Sequence, residues 1–292
     1  MKRLKVAIIH PWDRAKWNEP IIWDGLHGAL KEVARVHQID WFLQGDEPDN
    51  SYDWIIPWGV MSIPFNSTIE KFKGRKAIFC AGHPQDIANI DKFEAIFVES
   101  PAVQEQMSKH HPKVILAFGT DTDFFKPTNT PKMFDAFYPA TYSPWKRQDL
   151  FALGTQGFKA LTCGVIQPDG QELYNLCNQI SGYVMGGLVP TFVVASLYNA
   201  SKTVVITSWH GSERTLLEAM ASNIPVVLTR DNMLAASLAN DVILVDPNPM
   251  IIRAGFMEAL EKRVDTRQYI IDAGLTHIDY AKKILEVIEN GL

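Results

Sequence analysis

The sequence predicts an α/β protein built from two doubly wound parallel sheets. Short apolar runs recur along the chain, most separated by helix-compatible stretches, as strands buried on both faces of a parallel sheet require. The pattern stops at a Gly-, Thr-, Asp- and Pro-rich stretch, GTDTDFFKPTNTP at 119–131, and then restarts. A chain of 292 residues has room for two such domains.

In the first half, LKVAII at 4–9 is the opening strand, and its short apolar run reads as a strand rather than a signal peptide. A loop rich in Trp and charge, HPWDRAKWNEP, leads to an amphipathic helix at about 21–36. Strands follow at 39–43, 54–56, 77–80 and 95–98. Pro101 opens a helix to about His110, and VILAF at 114–118 is a further strand. After the linker, strands are expected at 134–138 and 158–163, and helices at 172–179 and 191–199.

The stretch TVVITSWHGSERTLLEAMASNIPVVL, 203–228, then reads as strand, turn, helix and strand. Ser212 is expected to accept a bond from the free amides of the helix start, and Asn223 to end the helix in a left-handed conformation. A helix N-terminus at the carboxyl end of a buried strand is where open α/β sheets bind phosphorylated ligands. Glu218 is the interior acid of this helix, placed either for a sugar hydroxyl or to point at solvent or a neighbouring Arg. A strand at 242–245 and helices at 251–262 and 277–289 complete the chain.

The chain is 47% hydrophobic and 21% charged, as expected of a globular protein, with a formal net charge of −5. That charge argues against a protein that holds nucleic acid mainly by electrostatics. No apolar run reaches the length that spans a bilayer, and there is no basic amphipathic helix for membrane docking. Cys80, Cys163 and Cys177 are far apart and make no metal spacing. Buried thiols in a reducing, cytoplasmic setting are expected.

Four stretches taken together resemble the group 1 (family 4-like) retaining glycosyltransferases of the GT-B fold. HGSERTLLEAMASNIPVV at 210–227 is similar to their E-G-F-G-x-x-x-x-E-A-M-A-x-G-x-P-V-V signature. FGTDTDFFKP at 118–127 resembles their interdomain linker N-G-V-D-x-x-x-F-x-P. YPATYSPWKR at 138–147 aligns on their phosphate loop G-R-L-x-P-x-K-G. GGLVPTFVVASLYNASKTVVITS at 186–208 resembles their G-x-V-P segment, and VDPNP at 245–249 also fits. The resemblance covers roughly residues 95–292. Among the positions that depart from the pattern, three bear on the site: His210 stands on its first Glu, Thr141 on the loop Arg, and Arg147 on the glycine after the loop Lys.

The resemblance implies a GT-B protein, two Rossmann-like domains facing a central cleft. They are an acceptor-side domain at 1–127 and a nucleotide-sugar-binding domain at 128–275, with a terminal helix at 276–292 packing back on the first. It implies retaining transfer from a nucleotide-diphosphate sugar, a UDP- or GDP-sugar, to a hydroxyl acceptor, with no metal and no tightly bound cofactor. The acceptor stays open between a glycan, a lipid-linked sugar and a modified DNA base. Lys146 is implied to hold the diphosphate, with Arg147 as a second cation, and Glu218 to hold the ribose hydroxyls. Amides from Ser212 through Glu213 and Arg214 to Thr215 are implied to bind phosphate, and the backbone at Gly186, Gly187, Leu188 and Val189 to bind the base.

Cations and helix-end amides together stabilise a departing diphosphate. His210 is placed for sugar or phosphate, Glu213 either replaces the missing acid or complements the helix end, and His83 of AGHPQD stands on the acceptor side. Trp12, Trp17 and Trp58 are candidates for stacking and Asp13 for an acceptor contact, whereas Trp23, Trp41 and Trp54 read as core. No side chain stands out as a nucleophile; in the family the leaving phosphate is thought to assist the acceptor hydroxyl. Two rival readings stay open: a GT-B pair that binds a nucleotide sugar without transferring it, and a GT-B epimerase.

Overall fold

The computed structural model describes residues 2–10, 23–43, 45–46, 48–59, 70–80, 90–181 and 183–291. It divides into two compact units, Met1–Gly119 with Thr276–Leu292, and Thr120–Leu275.

In the first unit, β1 (Lys5–His10), β2 (Gln38–Leu43), β3 (Trp54–Gly59), β4 (Arg75–Cys80), β5 (Ala95–Val98) and β6 (Val114–Leu116) form one parallel sheet. Their order is β2-β1-β3-β4-β5-β6, so the winding reverses between β1 and β3. Helix α1 (Gly25–Val33) starts at Asp24, whose carboxylate accepts the His27 amide at 3.0 Å. Helix α2 (Pro101–Met107) starts at Ser100 with Pro at its first position. The terminal helix α10 (His277–Asn290) belongs to this unit. Its Tyr280, Ala281, Ile284, Val287 and Ile288 recur at helical spacing and join the core of Val6, Ile8, Leu30, Trp54 and Phe97. Trp54 Nε1 donates to the Ile288 carbonyl at 3.1 Å, so the indole is buried with its one donor satisfied. The segments 11–22, 60–69 and 81–89, which follow β1, β3 and β4, lie outside the described residues, and so do Trp12, Asp13, Trp17 and His83.

The second unit carries β7 (Phe134–Pro139), β8 (Ala160–Gly164), β9 (Tyr183–Gly186), β10 (Ser201–Ile206), β11 (Val226–Thr229) and β12 (Ile243–Val245). The order is β12-β11-β10-β7-β8-β9, all parallel. In the unit's own sequence order this is 6-5-4-1-2-3, the doubly wound Rossmann arrangement, with its switch point between β7 and β10. Its helices are α3 (Gln148–Gly154), α4 (Gln171–Ser181), α5 (Thr191–Asn199), α6 (Glu213–Ala221), α7 (Met233–Ala236), α8 (Pro249–Glu261) and α9 (Thr266–Asp272).

Residues 120–127 are tied into this unit. Phe125 is fully buried, and the Arg267 guanidinium donates to the carbonyls of Thr122, Phe125 and Ala221 at 2.8 to 2.9 Å. Three carbonyls on one planar fork join the stretch to the end of α6. At that end Asn223 takes a φ of +57°, the left-handed turn expected of it.

Cys80, Cys163 and Cys177 are free and buried, and burial pushes each thiol up to about 12. Such thiols stay protonated and inert. No helix among the described residues is long and apolar enough to cross a membrane.

Candidate functional site

The switch point of the second sheet brings two loops together. One leaves β7 and runs through Ala140–Arg147 into α3. The other leaves β10 and runs through Thr207–Ser212 into α6. The first loop is held down by close approach: a Cβ on Gly164 would collide with the Ala140 carbonyl, and one on Gly170 with the Tyr142 carbonyl. Only glycine fits at both positions. Gln148 donates to the Thr141 carbonyl at 2.7 Å and is itself fully buried.

Lys146 is delivered by backbone bonds. Its carbonyl accepts from Tyr138 OH at 3.2 Å and from Thr207 Oγ1 at 3.1 Å. Its half-buried ammonium donates to Ser212 Oγ at 2.9 Å. The Ser212 and Ser208 hydroxyls are 2.9 Å apart, and Asn232 Nδ2 donates to Ser208 Oγ at 2.9 Å and to the Gly211 carbonyl at 2.7 Å. A methyl group placed on Gly211 would stand 3.0 Å from Lys146 Nζ and 4.0 Å from Glu213 Oε2, so the ammonium and the buried Glu213 carboxylate converge on that glycine. Burial pushes the Lys146 pKa down to about 8, the Glu213 charge opposing the shift and Arg214 adding to it.

Ser212 departs from its expected capping role. Its φ is +74°, its side chain caps no helix amide, and its hydroxyl belongs to the Lys146–Ser212–Ser208–Asn232 chain. The first three amides of α6, at Glu213, Arg214 and Thr215, have no carbonyl partner within the helix. The macrodipole adds partial positive charge there.

Arg147 takes a φ of +50°, and its guanidinium reaches the ends of β10 and β11. Its guanidinium donates to the Thr207 carbonyl at 2.6 Å, to Thr229 Oγ1 at 3.1 Å and to both oxygens of Asp231 at 2.8 and 2.9 Å. Most of its donors are therefore engaged in clamping the loop from β7 to β10 and β11. Asp231 is held below the ordinary carboxylate range chiefly by the Arg147 hydrogen bonds.

Glu218 is buried. It accepts from Tyr198 OH at 3.0 Å on Oε2, and its Oε1 lies 3.7 Å from Arg214 Nε. The fully buried Tyr198 phenol is pushed well above its ordinary value, first by burial and then by the Glu218 charge, so it stays a donor to that carboxylate. The Arg214 side chain is half exposed at 52%. Thr215 Oγ1 donates to the Pro139 carbonyl at 3.3 Å, joining the first turn of α6 to the end of β7.

His210 sits among aromatic rings. The Trp145 ring lies 5.9 Å away and within 9° of parallel, and the Trp209 ring stands perpendicular at 4.3 Å. Gly187, at φ +99°, and Leu188 are exposed and follow the edge strand β9 with Val189, β8 intervening between them and β7.

Of the sequence candidates, the structure brings Lys146, Ser212 and Glu213 together around Gly211, sets His210 against the Trp145 and Trp209 rings, ties Thr215 to Pro139 and places Glu218 farther along α6. It commits Arg147 to the clamp. Sequence reasoning missed Tyr198, Asp231, Ser208, Asn232 and Trp145. Short-range signals existed for Trp145, the neighbour of Lys146, and for Ser208, four residues before Ser212.

No protein-family model matches the chain, and no curated protein matches it in sequence. Solved structures do match in fold. A glycosyltransferase from Rickettsia africae superposes with a TM-score of 0.74 at 13% identity over 99% of each chain. A sucrose-phosphate synthase from Thermosynechococcus elongatus gives 0.71 at 14%, again over 99% of each. Anabaena HepE, solved with UDP and glucose, gives 0.70 at 15% over 99% of this chain and 100% of its own. The chain has the GT-B fold of these glycosyltransferases, two Rossmann-like units each built on a six-stranded parallel sheet.

Proposed function

We propose that this protein is a glycosyltransferase that moves a sugar from a nucleotide-diphosphate sugar to an acceptor hydroxyl with retention of configuration. The observation that carries the reading is the half-buried Lys146 ammonium held beside Ser212 at the start of α6, on the switch point of a Rossmann sheet. A desolvated cation and a helix start facing one point favour a leaving diphosphate, whose charge grows as the glycosidic bond breaks. Ser208 and Asn232 hold the acceptor of the lysine bond in place, so the cation needs no reorganisation when that charge develops.

In this reading Glu218 accepts from the two ribose hydroxyls, pre-oriented by Tyr198. The backbone at Gly186, Gly187, Leu188 and Val189 takes the base. Arg214 and Thr215 contribute amides to phosphate, and His210 lies beside the transferred sugar. His83 stands on the acceptor side by resemblance alone. The leaving group is neutralised by protein groups, without a metal. UDP is the first donor nucleotide to try, because HepE was solved with it. The acceptor is a glycan or another hydroxyl compound, and the buried thiols suit a reducing, cytoplasmic compartment.

A second reading, a nucleotide-sugar-binding protein without transfer, is favoured by one observation: the Arg147 guanidinium is committed to Asp231 and Thr207. Turnover decides between the two. With radiolabelled UDP- or GDP-sugar at saturation and a panel of hydroxyl acceptors, a transferase releases the diphosphate and labels an acceptor with its anomeric configuration kept. Tight donor binding with neither release nor transfer establishes the second reading.

A further inference from the structure

We infer that Trp145, His210 and Trp209 form the platform on which the donor's sugar ring stacks, resting on the reading of Lys146 and the α6 start as the diphosphate seat. Trp145 immediately precedes Lys146, and His210 immediately precedes Gly211, whose Cα faces the lysine ammonium. The parallel pair is thus contributed by both loops of the switch point, one ring from each. Trp209 N donates to the Trp145 carbonyl at 3.1 Å, a backbone bond that stitches the loops together and sets the rings before any ligand arrives. The Trp209 ring, packed edge-on against His210, is 51% exposed, and Trp145 and His210 are half-buried. Three aromatic rings are therefore carried by the two loops that also carry Lys146 and Ser212, with part of their surface in solvent.

The group they fit is the one bonded directly to the diphosphate. A pyranose has an apolar C–H face that packs on an indole and hydroxyls on its rim that stay hydrated. The ribose and base lie at the other end of the ligand, because Glu218 is five residues beyond Glu213, about 7.5 Å along α6. The rings precede the helix and Glu218 follows its start, so a donor spanning the seat leaves its sugar against the rings.

The test is titration calorimetry of the full chain with UDP against UDP-glucose, GDP against GDP-mannose, and ADP against ADP-glucose. Wild type, Trp145→Ala, Trp145→Phe and Trp209→Ala are compared, each checked for an unchanged unfolding transition. For the nucleotide that binds, Trp145→Ala is expected to leave the diphosphate affinity unchanged and to weaken the nucleotide sugar about tenfold. Trp145→Phe restores most of that loss. Trp209→Ala, the substitution that disturbs the fold least because its ring is already half exposed, shows a smaller loss in the same direction. Equal weakening of the diphosphate and its sugar would put the base or phosphate on the rings and overturn the inference. So would an unchanged sugar affinity in both alanine variants. If wild type binds none of these ligands and no TDP either, the diphosphate reading itself fails and the inference falls with it, a result visible before any variant is made.

Discussion

Replacing Lys146 with alanine is expected to lower kcat/KM for the proposed transfer about 10²–10³-fold, the size of effect seen when one preorganised donor is removed from a developing anion. The effect is large because the ammonium is half-buried and fixed by Ser212, so no water takes its place at short notice. Burial pushes its pKa down to about 8, Glu213 opposing and Arg214 assisting the shift. That predicts two pH dependences of opposite sign. Between about 8 and the ordinary lysine value the unfolded chain holds a proton that the folded chain has lost. This group's contribution to stability therefore rises with pH across that window. The diphosphate needs the charged form and keeps the proton on when bound. Donor affinity therefore falls as pH rises past about 8, by up to about tenfold per unit. Lys146→Arg stays charged and flattens that affinity profile. Calorimetric titration between neutral and alkaline pH reads the slope. A flat wild-type profile would contradict the placement of Lys146 on the diphosphate.

Arg147→Ala destabilises the second unit by about 2–4 kcal/mol. The loss comes from the Thr207 carbonyl, Thr229 and Asp231, which share one guanidinium. Asp231 is more than one-third exposed, so solvent screens its share and the carbonyl bond weighs more. The backbone separates the clamp from the turn. At φ +50° an alanine keeps the left-handed strain and loses the clamp, whereas glycine loses only the clamp. Arg147→Gly is therefore expected to be about 1 kcal/mol less destabilising than Arg147→Ala. Lys at this position does not rescue, because a point charge cannot bond Asp231 and Thr207 together. Asp231 is depressed mainly by the Arg147 hydrogen bonds. Its stabilisation is present above the ordinary carboxylate range and lost as pH falls through its lowered value, and the Arg147 variants lack that acid-side loss. Urea unfolding, with hydrogen exchange assigning the transition to the second unit, measures all of these. Equal stability of the Ala and Gly variants would contradict the strain argument.

What was legible in the sequence was what repeats locally. The apolar runs at β1, β4, β5, β10 and β11 marked both sheets, and the α6 stretch showed its helix, its left-handed Asn223 and the following strand. The edge strand β9 was not legible as a strand, because YVMG is largely exposed and carries no buried run. Helix α3 was hidden by its entry through a left-handed Arg rather than a capping side chain. Ser212 looked like a cap because Ser before an acid usually is one. Its left-handed backbone instead turns the hydroxyl to Lys146, a partner 66 residues away. The same distance problem concealed the other contacts of the site. Tyr198 meets Glu218 across 20 residues and Arg147 meets Asp231 across 84, pairings made only when parallel strands of the second sheet come into register. Local pattern singled out the Lys146 and α6 stretches, and tertiary contact committed Arg147 to Asp231 while placing Lys146 beside Ser212.

In the proposed reading the switch point of the second sheet binds a nucleoside diphosphate through Lys146, the α6 start and Glu218. Thermal unfolding with UDP, GDP, ADP, TDP and CMP, with and without Mg²⁺, tests it on wild type, Glu218→Ala and Glu218→Gln. A ligand at about 100 times its Kd adds about 2.7 kcal/mol, a rise of a few degrees. The expected result is a rise with one diphosphate, independent of Mg²⁺ and lost in both Glu218 variants. No rise with any nucleotide, or a rise that survives both substitutions, would contradict the account.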